Sequence, residues 1–233
     1  MRIGTRIHSP HGVSRWDTDI LQISVYYGRG DNINQIKKCA DFCRENKKRY
    51  VIHPVFYCIL NETMFKDLKV MAEWTDLALI LHDEKTPDYR RITGEHEPTF
   101  RMLLRELQSL APVSFENAVD TKDVLWFWKK YADSITLDIG HVELAGMDSV
   151  EFVRSLDAEI IDKIQYVHLH RNNGWRNGLT DHWYITADCR EVEALKELLR
   201  RKKDIAVILE VIEKEMIQDN LNLLKVIREE CLS

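Results

Sequence analysis

The sequence contains no apolar run long enough to cross a bilayer, and its opening MRIGTRIHSP lacks the apolar stretch of a signal peptide. A membrane span and a secreted product are therefore not expected. Cysteines are few and unpatterned: Cys39, Cys43, Cys58, Cys189 and Cys231 are an odd number with no CxxC spacing. That excludes a disulfide framework and a cysteine zinc site, and reads as reduced thiols in a cytoplasmic protein. Neither charge sign dominates, since Lys+Arg 33 against Asp+Glu 38 gives a formal charge of -5. A polybasic nucleic-acid binder is excluded, and only a local basic face stays open. No GxGxxG follows the first apolar run, so a dinucleotide site of that type has no support. Linkers, low-complexity stretches and short-period repeats are also missing, which makes residues 1–233 one domain.

What is present is an alternation. Short apolar runs at 2–7, 20–25, 50–53, 77–81, 113–115, 134–137, 164–169 and 205–209 are separated by longer amphipathic stretches. Helical spacing of apolar positions places helices near 32–48, 61–74, 97–109, 120–130, 147–157, 190–201 and 214–230. The segment with Pro10 and Gly12, between the first two strands, is too short for a helix. Eight strands in 233 residues, apolar without strict alternation, predict an α/β protein of one (β/α)8 TIM-barrel domain, with both faces of each strand covered. An open doubly wound sheet is the competing architecture.

The predicted strands end in chemistry. Strand three ends in His53, strand four in His82, strand five in Glu116 and strand six in Asp138; strand seven carries His168, and strand eight ends in Glu210. In a TIM barrel these ends meet at one rim, where the active sites of the fold lie. Glu116 follows Val113-Ser114-Phe115 and Glu210 follows Ala206-Val207-Ile208-Leu209, so each carboxylate stands against apolar walls. A buried unpaired charge costs several kcal/mol. A divalent cation shared by Glu116, Asp138, His168 and Glu210 would compensate it, with oxygen and imidazole ligands suited to Mn²⁺, Zn²⁺, Mg²⁺ or Co²⁺. The bland alternative pairs each acid with an Arg or Lys across the barrel. Asp138 and His141 stand three apart where a strand breaks into a loop. His168 and His170 point the same way by strand alternation, one as a ligand, the other as a substrate contact or a neighbour orienting the ligand.

Several pieces, in order along the chain, resemble the xylose-isomerase-like TIM barrels, which contain sugar isomerases and epimerases and endonuclease IV. They are His53-Pro54 with Asn61 after it, Leu81-His82, Ser114-Phe115-Glu116-Asn117, Leu137-Asp138-Ile139-Gly140-His141, Val167-His168-Leu169-His170 and Leu209-Glu210. The resemblance covers strands three to eight. It implies a core metal site at Glu116, Asp138, His168 and Glu210, and substrate or second-metal contacts at His141. His53 and His82 match positions used for an additional metal in the endonuclease branch. That branch completes a third metal with an aspartate-x-histidine pair, whereas here Asp181 and His182 are adjacent. It also has Gly-Ala-His where this chain has Gly4-Thr5-Arg6.

The expected function is a divalent-metal-dependent sugar or sugar-phosphate isomerase or epimerase, Glu116 and Glu210 exchanging a proton with a small carbohydrate and His141 and His170 holding its oxygens. The alternative is an endonuclease IV-like phosphodiesterase acting on abasic DNA, favoured by His53, His82, His141 and Asp181. A third is a barrel kept as a binding module. No membrane partner is expected, and a homo-oligomer is in keeping with the resemblance.

The basic runs Lys47-Lys48-Arg49 and Arg200-Arg201-Lys202-Lys203 read as cations at helix C-termini, complementing the helix dipole on the face opposite the active rim. Arg90, Arg91, Arg101, Arg171 and Arg176 are candidate phosphate contacts, with a solvated role as the alternative. Trp175 and Trp183 are candidates to stack on a sugar or close a lid. Cys39 and Cys43, and Trp126 and Trp128, read as helix packing. Arg29-Gly30-Asp31 is a chance triplet.

Overall fold

Each strand of this chain is covered on both faces, and the alternation of its side chains separates two layers. A computed structural model describes residues 1–12, 14–28, 33–172 and 181–232. Arg29-Gly30-Asp31, Trp175 and Arg176 lie outside the described residues. Eight parallel strands close in sequence order into a barrel: β1 Arg2–Ile7, β2 Ile20–Tyr26, β3 Arg49–Val55, β4 Leu79–His82, β5 Val113–Glu116, β6 Ile135–Asp138, β7 Ile164–Leu169 and β8 Ala206–Leu209. β8 returns to β1 with Gly4 opposite Ile208 and Thr5 opposite Leu209. Gly4 is required there, because a Cβ would stand 2.7 Å from the Ile20 carbonyl oxygen.

Helices fill the connections: α1 Ile33–Glu45, α2 Glu62–Trp74, α3 His96–Leu110, α4 Val124–Tyr131, α5 Ile139–Leu144, α6 Ser149–Ser155, α7 Ala158–Lys163, α8 Arg190–Arg201 and α9 Ile217–Leu232. The β1–β2 connection has only a 3-10 turn at Pro10–Gly12, as its length dictates. The helix expected near 147–157 is α6, and a further short helix, α7, follows it. Asp148 caps α6 by accepting from the N–H of Val150 and Glu151, and Asp157 restarts the chain as α7 by accepting from Ile160. α5, too short for a periodic signal, begins on its own cap Asp138.

The outward residues of the strands (Leu21, Ile52, Leu79, Phe115, Leu137, Val167 and Leu209 among them) join the helices in one large apolar cluster. Inward residues Ile20, Val51, Ile80, Tyr166, Ala206 and Ile208 form a second, smaller cluster that plugs the barrel. Side chains alternate with period two, so the next inward position toward the C-terminal mouth lies two residues on. Those positions are Gln22, His53, His82, His168 and Glu210. Ser114 and Thr136, hydrogen-bonded at 2.8 Å, are followed in the same way by Glu116 and Asp138. The apolar plug thus sits directly beneath a polar layer.

The basic runs lie at the other end. Arg49 pairs with Asp76 at 2.6 Å, and Arg201 donates to the carbonyls of Val153 and Leu156 at 2.7 and 2.6 Å. Cys39 and Cys43 are buried, and Trp128 donates from Nε1 to the Phe115 carbonyl at 3.1 Å.

Candidate metal and carbohydrate site

Strand register brings the predicted site residues together in pairs. His82 stands opposite Glu116 across β4 and β5, and Asp138 opposite His168 across β6 and β7. Glu116 is the hub. Its Oε2 lies 3.2 Å from His53 Nε2 and 3.7 Å from His82 Nε2. Its Oε1 lies 3.2 Å from His168 Nδ1 and 3.4 Å from His141 Nδ1. The same His168 nitrogen is 3.9 Å from Asp138 Oδ2 and 3.9 Å from Glu210 Oε1. His170 Nε2 reaches Asp138 Oδ1 at 3.1 Å, and His182 Nε2 reaches Glu210 Oε2 at 3.1 Å. Asp181 stands behind, 3.1 Å from His182 Nδ1. All ten predicted site residues therefore converge on the barrel mouth, Asp181 through His182. The adjacency of Asp181 and His182 does not prevent this, because His182 adopts a left-handed backbone (φ 63°) that turns its N–H onto His170 Nδ1 at 3.0 Å.

Gln22 and Asp83, which no motif marked, and Asn117 and Gly140, which lie within the quoted motifs, hold this arrangement. Gln22 on β2 donates to Glu210 Oε1, while its Oε1 lies 2.7 Å from His168 Nε2. Its signal was a polar side chain within the apolar run Ile20-Leu21-Gln22-Ile23. Asn117 clamps the β6 end, accepting from the Asp138 N–H at 2.7 Å and donating to the Asp138 carbonyl at 2.8 Å. Gly140 leaves room for the His170 ring, into which a Cβ would collide. Asp83 fixes the loop after β5 by accepting from the N–H groups of Ala118, Val119 and Asp120 at 2.6–2.9 Å.

Burial and charge divide the imidazoles. Burial alone would push Glu116, Asp138 and Glu210 up. Neighbouring imidazoles outweigh it and hold all three below the carboxylate range, with His168 foremost at Glu116, His141 at Asp138, and His168 and His182 at Glu210. Burial likewise opposes charge on His168 and His182, but the carboxylates raise them to about 9 and about 10. Around His53, His82 and His170, burial wins; these are lowered, His82 to about 4, and stay neutral at pH 7. Neutral imidazole is the form that ligates metal.

The donor set fits a cation. Both carboxylate oxygens of Glu116 and Nδ1 of His168 are buried without a hydrogen-bond partner, because their 3.2 Å approach is misaligned for one. Buried polar atoms of native proteins nearly always have partners, and a cation is one group that would satisfy orphaned atoms of this ligand type. Donor atoms of Glu116, Asp138 and His168 lie within 4.8 Å of one another. So do those of His53, His168 and Glu210, of His53, His82 and Glu116, and of His141, His170 and His182. Above them opens a cavity of about 440 Å³ walled by Arg6, Tyr26, Phe56 and Ile212 together with His53, His82, His141, His182 and both glutamates.

The other candidates settle elsewhere. Trp183 is 6% exposed and pairs its backbone with Arg171, so it anchors the loop after β7 and does not line the mouth cavity. Arg90, Arg91 and Arg101 pair with Asp88, Asp123 and Glu97.

No family model matches the sequence, and no curated protein matches it. Solved structures do match. A D-tagatose 3-epimerase-like protein aligns over 100% of both chains with TM-score 0.74 at 19% identity. D-psicose 3-epimerase from Clostridium cellulolyticum H10 aligns over 100% of both chains with TM-score 0.59 at 10% identity. Another D-psicose 3-epimerase aligns over 98% of this chain and 99% of its own, with TM-score 0.62 at 11% identity. The fold shared with these structures is the eight-stranded parallel (β/α)8 barrel that the sequence predicts.

Proposed function

We propose that this chain is a divalent-metal-dependent isomerase or epimerase of a sugar or sugar phosphate. The observation that carries the reading is the convergence of two buried glutamates from opposed strands, Glu116 and Glu210, on the one nitrogen His168 Nδ1, at 3.2 and 3.9 Å, beneath a cavity of carbohydrate size. Glu116, Asp138, His168 and Glu210 would hold the ion, which when bound supplies positive charge that lowers the cost of a developing enediolate oxyanion. One glutamate removes the proton from the carbon beside the substrate carbonyl and the other returns it on the neighbouring carbon or face. Both are held ionised by their imidazole neighbours, so the one that removes the proton starts as the base, and the other must first take up a proton, as Glu210 can from the cationic His182 at 3.1 Å, before it returns one to carbon. His141, which lines the cavity, would position a substrate oxygen, while the expected substrate contact His170, with both ring nitrogens engaged, orients Asp138 instead, and the plug closes the site from below. The fold likeness to D-tagatose and D-psicose 3-epimerases supports the carbohydrate class. Purified protein loaded with Mn²⁺ and incubated with a panel of ketoses in deuterated water tests it. Deuterium entering at carbon is expected; no exchange across the panel defeats the reading.

A second reading is favoured by a specific observation. The groups His53, His82, Glu116 and His141, His170, His182 are two further ligand clusters, more imidazoles than one-ion proton transfer uses. They suit a metal-dependent phosphodiesterase of the endonuclease IV type. Ion stoichiometry separates the two: one ion per chain goes with isomerisation, three with phosphodiester hydrolysis.

A further inference from the structure

Next to the mouth cavity lies a second of about 420 Å³, built from the loop after β1 and the segment after β8. The two share Arg6 and Ile212 as walls. Three cations line the second cavity, Arg6, Arg15 and Lys214, with His8 and His11 beside them, and no carboxylate does. Several cations elsewhere stand against acids, as in Lys85–Asp120, Arg91–Asp123 and Lys130–Glu97. Among the described residues, Arg6, Arg15 and Lys214 make no ion pair. Arg15 lies over the Trp16 ring at 4.6 Å, a contact that engages the face of the guanidinium and leaves its in-plane N–H donors for an acceptor. Arg6 donates to the Tyr26 hydroxyl at 3.5 Å, and its charge reaches Glu210.

We propose that this cavity is an anion subsite in which Arg15 and Lys214, with Arg6 on the shared wall, bind the phosphate monoester of a phosphorylated sugar whose reacting carbons lie over Glu116 and Glu210. The inference rests on the proton-transfer reading of the main site and narrows its substrate class. The chemistry suits the group: a phosphate monoester is a dianion with several acceptor oxygens, matched by guanidinium forks and an ammonium, and by few other ligands of that size. Arg6 and Ile212 wall both cavities, so the two adjoin, and one molecule would place its charged end in the second and its carbonyl end in the first.

Calorimetric titration of the Mn²⁺-loaded full chain with D-fructose 6-phosphate, D-fructose, inorganic phosphate and a short single-stranded oligonucleotide tests this. The sugar phosphate is expected to bind at least tenfold more tightly than the free sugar, as charge-assisted hydrogen bonds require (about tenfold for each well-made one). The Arg15→Gln/Lys214→Gln double variant is expected to lose that advantage and to keep its affinity for free sugar; exposed Lys69→Gln serves as the control. Equal affinity for phosphorylated and free sugar, or a phosphate effect that the double variant leaves intact, overturns the subsite. Binding of the oligonucleotide alone overturns it in favour of a phosphodiester ligand. Exchange on free ketoses with no phosphate preference keeps the main reading and removes this one. Phosphate binding abolished in the double variant, without carbon exchange on any sugar, supports the subsite and removes the main reading.

Discussion

His170 and His182 stack face to face, ring centroids 4.2 Å apart and planes 4° from parallel, and the backbone N–H of His182 donates to His170 Nδ1 at 3.0 Å. The stack fixes which nitrogen of His170 faces Asp138: its Nδ1 accepts from His182, so its Nε2 carries the proton toward the carboxylate. Gly140 lies directly against the other side of the ring. Gly140→Ala is therefore expected to displace His170 while leaving the barrel folded. Overpacking of this kind costs about 1–3 kcal/mol of stability, and loss of ligand orientation weakens metal affinity about 10- to 100-fold. Thermal melting and competitive metal titration read the two effects separately.

The glutamates carry the strongest functional expectation. Glu116→Gln and Glu210→Gln keep shape and remove the base, so carbon–deuterium exchange should fall about 10²- to 10⁴-fold in each. Metal-free melting of Glu116→Gln should show a folded protein, because the amide needs no counter-charge. Exchange within a factor of two of the parent in either variant would remove that glutamate from proton transfer.

Gln22 bridges His168 Nε2 and Glu210. Gln22→Leu leaves both without that partner, and metal affinity is expected to fall about 10- to 100-fold, as for other residues that orient metal ligands. Equilibrium dialysis against Mn²⁺ and Zn²⁺ measures it; unchanged affinity would show that the bridge serves packing alone.

Chelation tests the ion itself. Anything that binds the native state alone stabilises it, by about 2.7 kcal/mol at a hundredfold excess over Kd. For a chain of this length, treatment with a chelator should lower Tm by roughly 5–10 °C, with recovery on adding back Mn²⁺, Zn²⁺ or Co²⁺. A melting curve indifferent to chelator and metal would contradict a bound cation.

Burial pushes the thiols of Cys39, Cys58 and Cys189 up to about 11 and that of Cys43 up to about 12. A raised thiol pKa keeps the group protonated, so at pH 8 these four present almost no thiolate. Alkylation of the buried trio Cys39, Cys43 and Cys189 in native protein should proceed only as fast as the chain opens, and should accelerate sharply in denaturant. Mass mapping of iodoacetamide adducts at pH 8 checks this.

Much of this protein is determined by the sequence alone. Short apolar runs placed eight strands and helical spacing placed most helices, because a strand covered on both faces must be apolar throughout and a helix on a barrel must be amphipathic. The acids and imidazoles at strand ends were legible for the same reason: charge at the end of an apolar run has nowhere to go but the rim. Tertiary structure decided the rest. Only barrel closure shows that Gln22 faces inward between His168 and Glu210, because strand register, not spacing along the chain, sets that contact. The left-handed turn at His182 overcame the unfavourable adjacency with Asp181, a backbone choice imposed by its neighbours. Whether Arg15 and Lys214 meet in one cavity depends on two loops more than 190 residues apart in the chain, and no local pattern encodes that distance.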